Sequence, residues 1–187
     1  MSLHNTSGRY SALTISLHWL MLFLLAAVYA CMELSGNFPK GSDMRVSLKT
    51  WHYMLGLSVF VLVWIRLAVK LTGKVPPIAP QPPLWQERAS GLVQLALYVL
   101  MIGLPLVGWF LLSAKGQAIP FFGLQLPALM AENRDSAGWI KEIHEIGATA
   151  GYFLVGMHAI ASLYHHYLLR DNTLRRMLPA SKSHHSH

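Results

Sequence analysis

Long apolar runs alternate with short polar segments along the chain, and each run is long enough to cross a membrane. The runs cover about residues 14–33, 48–71, 90–113 and 139–169. About 20 mainly apolar helical residues span a hydrocarbon core roughly 30 Å thick. The pattern therefore predicts an all-α integral membrane four-helix bundle, with residues 1–187 forming a single domain. A polar, histidine-containing tail is expected at about residues 180–187.

Composition supports a membrane protein and excludes several other classes. Hydrophobic residues make up 53% of the chain and charged residues only 12%, which is too apolar for a soluble domain. The formal net charge is +7, but the charges lie between apolar runs, so the pattern does not favour nucleic-acid binding. Cys31 is the only cysteine, which rules out an intrachain disulfide or a thiolate metal cluster.

The first apolar run is interpreted as a retained helix that fixes the orientation of the chain. It is longer than the apolar part of a secretory signal peptide, and the sequence around Ala30 is a poor cleavage site. Four spans place both termini on one side of the membrane. Of the fifteen Lys and Arg residues, nine fall on the side of the termini and six on the other. The positive-inside rule then predicts cytoplasmic termini.

Two histidines of the fourth run lie on one face of a helix. His144 and His158 are fourteen residues apart, which is about 1400° of helical rotation, within about 40° of four turns. The rise between them is about 21 Å, so one ring lies near each edge of the hydrocarbon core. The fourth helix is therefore expected to offer a nitrogen ligand at two depths.

The order of the spans gives each of these histidines a partner. His18 lies near the inner, N-terminal edge of the first run, and His52 lies near the outer edge of the second. Antiparallel threading pairs His18 with His158 at the inner depth and His52 with His144 at the outer depth. Ionisable side chains within spans are rare and usually face the interior of the bundle.

Such histidine pairs favour haem over zinc or copper, because the further ligands that zinc and copper need are not found at the same depth. Two histidines facing each other across a bundle can hold haem iron axially. A zinc site would normally add a cysteine, a carboxylate or a third histidine, and a copper site would add sulfur ligands. A single membrane histidine can also be a packing residue. A small membrane transporter without any cofactor is therefore one alternative hypothesis for the function.

Glycines lie near the predicted histidine sites. Gly147 and Gly151 fall on or near the face that carries His144 and His158, and Gly56 follows His52 by about one turn. Small residues of this kind suit a flat macrocycle that meets a helix, so all three are predicted to contact a cofactor. The same glycines also fit an ordinary small-residue contact between helices, which is common in membrane bundles.

Six segments carry a family resemblance from about residue 9 to residue 179. They are RYSALTISLHWL (9–20), CMELSGNFP (31–39), WH (51–52), HE (144–145), GYFLVGMHA (151–159) and HHYLLRDNTLRRMLP (165–179). The chain resembles the bacterial cytochrome b561 family, whose members are multi-pass inner-membrane proteins. The resemblance implies two haems b, each ligated by two histidines. His18 and His158 would hold the inner haem iron, and His52 and His144 the outer one.

The resemblance also implies a reaction. Stand-alone family members of this size resemble superoxide oxidases, which oxidise superoxide to O2 at the periplasmic face and reduce ubiquinone. Such a protein needs no catalytic side chain, because the haems carry the chemistry. Outer basic residues can steer a small anion if they cluster, and the candidates are Arg45, Lys49, Lys115 and Arg134.

A second hypothesis comes from related subunits. The family is similar to cytochrome b subunits that link a periplasmic dehydrogenase or hydrogenase to the quinone pool. Under that hypothesis the chain passes electrons from a partner subunit and oxidises no small substrate itself. The sequence leaves the quinone site and the oligomeric state open. Arg66 and Lys70, at the inner end of the second run, are interpreted as residues that snorkel towards the membrane surface.

Overall fold

Four long helices make up most of the protein. The structure is a computed structural model that describes residues 8–179. The helices are α1 (Ala12–Ser35), α2 (Asp43–Thr72), α3 (Leu84–Ala114) and α4 (Arg134–Tyr167). Each is long and apolar enough to cross a membrane, so the predicted membrane four-helix bundle is confirmed. The predicted tail at 180–187 lies outside the described residues.

The helices extend beyond the apolar runs because polar residues cap their first turns. Ser11 Oγ accepts a hydrogen bond from the Thr14 amide, and Asn133 Oδ1 accepts one from the Ser136 amide. Such side chains satisfy amides that have no partner within the helix. Helix α4 therefore begins at Arg134, five residues before the predicted span. Helix α3 begins at Leu84, directly after Pro83 and six residues before its span, without a side-chain cap.

The segment between α3 and α4, which the sequence analysis treats as a loop, contains a small β-hairpin. Strand β1 (Pro120–Phe121) pairs antiparallel with β2 (Leu124–Gln125). The two turn residues, Phe122 and Gly123, have φ values of 46° and 84°. Positive φ at both positions is the requirement of a two-residue type I′ hairpin turn. Phenylalanine is an uncommon residue at the first of them, so the sequence offers no clear hairpin signal.

The helices form two hairpins that enclose a gap. Helix α1 packs along α2 and α3 packs along α4, while α2 also contacts α3. Within residues 8–179, α4 makes at most slight backbone contact with α1 and α2. An apolar core cluster of Met21, Val59, Val63 and Met101 joins the first hairpin to α3. The gap between α4 and the first hairpin contains a cavity of ≈ 380 Å³ beside Tyr29 and Tyr152.

The two ends of the described chain meet at one end of the bundle, which we call the inner end. The Tyr10 amide donates to the Arg176 carbonyl at 3.1 Å, and Trp19 Nε1 donates to the Met177 carbonyl at 2.9 Å. Arg176 also donates to the Pro76 carbonyl in the connector between α2 and α3. Both described ends therefore lie on one side, as four spans require. That this side is cytoplasmic stays a prediction.

Candidate functional site

The four membrane histidines form two pairs at different depths. His52 of α2 faces His144 of α4, with ring centroids 6.2 Å apart. His18 of α1 faces His158 of α4, with centroids 6.3 Å apart. We call these the outer pair and the inner pair. All four side chains are half-buried. The structure brings together the pairs that the threading predicts, and each pair bridges the gap between the two helical hairpins.

The spacing within each pair fits one metal ion between the rings. A metal–imidazole nitrogen bond is about 2 Å long. In a five-membered ring with bonds of about 1.33 Å, each atom lies about 1.1 Å from the centroid. A linear nitrogen–metal–nitrogen arrangement therefore separates the centroids by about 6.2 Å. The observed separations of the centroids, 6.2 and 6.3 Å, match this value.

The donor set fits a metal that brings its own equatorial ligands. Within residues 8–179, no three His, Cys, Asp or Glu side chains converge on a common point. A structural zinc site normally takes four protein ligands and a catalytic one takes three. Haem iron needs only axial ligands from the protein. Two facing histidines at each depth therefore suit haem better than a metal held by the protein alone.

The outer pair is oriented by neutral backbone groups. His52 Nδ1 lies 3.0 Å from the Val28 carbonyl oxygen. The ring donates its Nδ1 hydrogen there, which leaves Nε2 as a free electron-pair donor. His144 Nδ1 is buried and has no hydrogen-bond partner among the described residues. The carbonyl of Leu104 is the nearby acceptor, although it lies outside hydrogen-bonding geometry.

Gly108 makes room for the His144 ring, and the sequence analysis did not single it out. A Cβ atom at this position would lie 3.2 Å from His144 Cε1, tighter than an ordinary van der Waals contact. The available signal was a glycine three residues after Pro105 in the middle of an apolar helix, where glycine costs helix stability and usually has a packing reason.

The inner pair has a charged neighbour. Arg66 Nη2 lies 3.0 Å from His18 Nδ1. The Arg66 side chain is half-buried, and its guanidinium carbon is 5.9 Å from the centroid of the Tyr98 ring. The sequence analysis expected this arginine to snorkel towards the surface. Instead it turns into the bundle and contacts a predicted ligand.

The three predicted cofactor-contacting glycines have different surroundings. A Cβ atom on Gly56 would meet nothing within 4 Å, so there is open space beside it. Cβ atoms on Gly147 and Gly151 would lie 2.5 Å from Leu104 Cδ2 and 2.2 Å from Tyr29 Oη. Close packing against α3 and α1 therefore accounts for Gly147 and Gly151. Contact of all three with a cofactor stays a prediction.

Lysines cluster at the outer end of the bundle. Partial burial, with repulsion from nearby Lys141 and Lys49, lowers the pKa of Lys115 below its ordinary value. Lys141 is paired with Glu145 at 2.7 Å, and the same carboxylate partly offsets the repulsion at Lys115. Lys49 is three residues before His52 and Lys141 is three residues before His144, which places the cluster about one helical turn outside the outer pair.

The predicted steering residues are only partly brought together. Lys49 and Lys115 belong to the cluster, to which the structure adds Lys141. Arg45 instead forms a hydrogen bond within its own loop region, because its guanidinium donates to the Phe38 carbonyl at 2.8 Å. Arg134 is the first residue of α4. Sequence order could not select among these residues, since the side-chain distances depend on how the loops fold.

A four-helix membrane bundle with facing histidines at two depths is typical of membrane-bound b-type cytochromes. The chain belongs to the prokaryotic cytochrome b561 family, whose family model matches residues 9–180. It is therefore a multi-pass protein of the bacterial inner membrane that transfers electrons and uses haem b.

Three curated relatives match nearly the whole chain. Cytochrome b561 homolog 1 of Escherichia coli is 42% identical over 94% of this chain and 99% of its own length. The probable superoxide oxidase CybB of Yersinia pestis is 35% identical over 93% of this chain and 98% of its own length. Cytochrome b561 homolog 2 of Escherichia coli is 30% identical, with 98% of both chains covered.

Proposed function

We propose that the protein is a superoxide:ubiquinone oxidoreductase with two bis-histidine haems b. His52 and His144 would hold the outer haem, and His18 and His158 the inner one. Each superoxide anion gives up one electron at the periplasmic end and becomes O2. Two such electrons, with two protons, reduce one ubiquinone to ubiquinol. The observation that carries this proposal is the pair spacing of 6.2 and 6.3 Å at two depths of one bundle.

The chain itself has three tasks in this reaction. When bound, haem b supplies the one-electron chemistry, which none of these side chains provides. The four histidines would hold the haem iron, and the Val28 carbonyl accepts a hydrogen bond that orients the His52 ring. The apolar helices exclude water from the gap. The outer lysines attract the anionic substrate to the end at which the outer pair lies.

The choice of superoxide as electron donor is supported by charge and by a relative. Lys49, Lys115 and Lys141 give a local excess of positive charge, and a positively charged surface raises the encounter rate of a small anion. One relative that covers almost all of the chain carries the name probable superoxide oxidase. An electron donor that is itself a protein does not need a lysine cluster that attracts a small anion. We therefore rank the hypothesis of a linking subunit second.

The test is stopped-flow mixing of the purified, oxidised protein with superoxide, with and without ubiquinone. Superoxide should reduce the haems rapidly without any partner subunit, and added ubiquinone should reoxidise them. Reduction that occurs only with a periplasmic dehydrogenase would overturn the superoxide activity and favour the linking subunit. Absence of a b-type signal in the reduced-minus-oxidised spectrum would overturn the haem assignment itself.

The lysine cluster allows a sharper version of this experiment. Lys115→Gln should lower the second-order rate of reduction by superoxide several-fold at low ionic strength, and salt should narrow the difference because it screens exposed charges. Arg88→Gln is the matched control, because Arg88 is exposed at the opposite end of α3. Equal rates for Lys115→Gln and Arg88→Gln would show that the cluster does not steer the substrate.

A further inference from the structure

Arg66 lies on α2 at the position where, by the spacing seen on α4, a second histidine would be expected. It follows His52 by fourteen residues, the same interval that separates His144 from His158, so His52 and Arg66 lie on one face about 21 Å apart. That face carries a histidine at the outer depth and an arginine at the inner depth. A charged side chain within a span is costly and usually has a functional partner.

Two cations lie beside the inner pair without an acidic partner. Lys70 Nζ is 4.9 Å from the centroid of the Tyr98 ring, which Arg66 also approaches, and it donates to Gln94 Oε1 at 3.1 Å. In the part of the chain that the structure describes, neither Arg66 nor Lys70 forms an ion pair with a carboxylate. Arg66 is half-buried whereas Lys70 is exposed. Half-buried charge is normally compensated by an opposite charge, so an anion is expected beside Arg66.

The contact between Arg66 and His18 also conflicts with metal binding by His18. A neutral imidazole that binds a metal through Nε2 carries its hydrogen on Nδ1. A guanidinium has only donors, so two donors would face each other at 3.0 Å. The outer pair has no such conflict, because His52 Nδ1 faces a carbonyl oxygen. Arg66 must therefore take another partner when His18 is a ligand.

We infer that Arg66, assisted by Lys70, binds a propionate carboxylate of the inner haem. This inference rests on the proposed function and deepens it by assigning the charge partner of one of the two cofactors. A propionate supplies the missing anion and gives the guanidinium an acceptor, so that Nδ1 of His18 is released. Nearby positive charge favours the reduced form of a haem. The inner haem is therefore the one whose reduction potential depends on this corner of the bundle.

Redox titration of the purified holoprotein tests the assignment. In Arg66→Gln, the midpoint potential of one haem should fall while that of the other stays at its wild-type value. Arg66→Lys retains the charge and should give a smaller shift, and Lys70→Gln should lower the potential of the same haem. Arg88→Gln, which removes an exposed charge at the same end of the bundle, should shift neither. The haem retained in His18→Ala identifies the outer potential.

Infrared spectroscopy separates propionate binding from a direct effect of charge on the His18 ring. Redox difference spectra of protein loaded with haem labelled with 13C at the propionate carboxyls identify the carboxylate bands. Propionate bands that shift in Arg66→Gln and not in Arg88→Gln support the inference. Unchanged propionate bands would overturn it, whatever happens to the potential.

The outcomes also distinguish failure of this inference from failure of the proposed function. Wild-type protein that lacks a second haem would overturn the proposed function. Two haems with unchanged potentials and unchanged propionate bands in Arg66→Gln would overturn only the role of Arg66. Where Arg66→Gln does not retain the inner haem, Arg66→Lys and Lys70→Gln carry the same test, and unaltered potentials and bands in both would overturn the inference.

Discussion

The outer and inner histidine pairs have the same spacing and different surroundings. Ring centroids are 6.2 Å apart in the outer pair and 6.3 Å apart in the inner pair, so the helices alone set similar ligand geometry. Nδ1 of His52 meets a backbone carbonyl, whereas Nδ1 of His18 meets a guanidinium. The direct neighbour of the ring nitrogen is therefore neutral in the outer pair and charged in the inner pair.

Under the proposed function, this difference means that the bundle would set the ligand geometry, while neighbouring side chains would adjust the reduction potential of each haem. Net charge and hydrogen bonds near a haem are principal determinants of its reduction potential. Under the proposed function, Arg66 in contact with His18 would raise the reduction potential of the inner haem, whereas the outer lysines lie about one helical turn away from the outer pair. The closer cation would favour electron movement from the outer end towards the inner end, the direction that the proposed reaction requires.

Removal of one ligand from each pair should have the largest effect. We expect His52→Ala and His18→Ala each to lower the haem content from two to one per chain, because each leaves a single axial histidine at its own depth. Haem quantification against protein concentration measures this. Retention of two haems in both variants would contradict the ligand assignment, and loss of both haems in either would show that the sites are not independent.

Crowding of the outer pair should have the next largest effect, and it should be confined to that pair. Gly108→Val places carbon atoms against the His144 ring, where a Cβ atom alone already comes within 3.2 Å of Cε1. Overpacking of this kind costs about 1–3 kcal/mol, so the outer haem should be bound more weakly while the inner haem is kept. Gly103→Val is the control, since a Cβ atom at Gly103 would meet nothing within 4 Å. Equal haem loss in the two variants would contradict the interpretation.

A substitution at Gly151, which lies between the two histidine pairs along α4, should affect both haem sites to the same degree. In Gly151→Ala the added methyl group would lie 2.2 Å from Tyr29 Oη, which donates to the Ala148 carbonyl. We expect a loss of about 1–2 kcal/mol in stability, measured by thermal unfolding in detergent, with no preference for one haem.

A double variant checks the cause of that loss. Tyr29→Phe removes the clashing oxygen, so Gly151→Ala should cost less in the Tyr29→Phe background than in the wild type. Gly156→Ala is the matched control, because a Cβ atom there meets nothing within 4 Å. If Gly151→Ala lowers the stability as much in the Tyr29→Phe background as in the wild type, the Tyr29 hydroxyl is not the group that the added methyl group meets.

The smallest effect on the two histidine pairs is expected from a change beyond the membrane, at the inner end. Burial alone would raise the pKa of Asp171, but hydrogen bonds from His165 and from Thr173 outweigh it and hold the pKa below its ordinary value. A carboxylate with a lowered pKa stabilises the fold above the pKa of the unfolded state, and this contribution is lost as the pH falls through the folded-state pKa.

Asp171→Asn should therefore destabilise the protein at neutral pH and have progressively less effect below about pH 3.8, the ordinary value. Hydrogen bonds to a charged group contribute about 1.5–3 kcal/mol, and unfolding midpoints over a pH series measure the difference. Neither histidine pair should respond. A destabilisation that does not depend on pH, or a selective loss of one haem, would contradict this role.

The sequence was sufficient to predict the bundle and the two pairs because both depend on helical periodicity and on the order of the spans. His18, His52, His144 and His158 follow from depth alone. Arg66 and Gly108 escaped prediction because their roles depend on how α2 and α3 rotate about their axes, which periodicity does not fix for helices that are apolar all round. Lys141 escaped because its helical neighbour Glu145 made it look like part of an ordinary exposed ion pair.

The gap between the two helical hairpins has a consequence for biogenesis. Each pair takes one histidine from the first hairpin and one from α4, so neither site exists until the last helix has been synthesised and inserted. The two halves of the bundle touch mainly through α2 and α3. Under the proposed function, cofactor insertion would add a second connection, between the first hairpin and α4. A chain that stalls after its third helix would be a membrane protein without any site to fill.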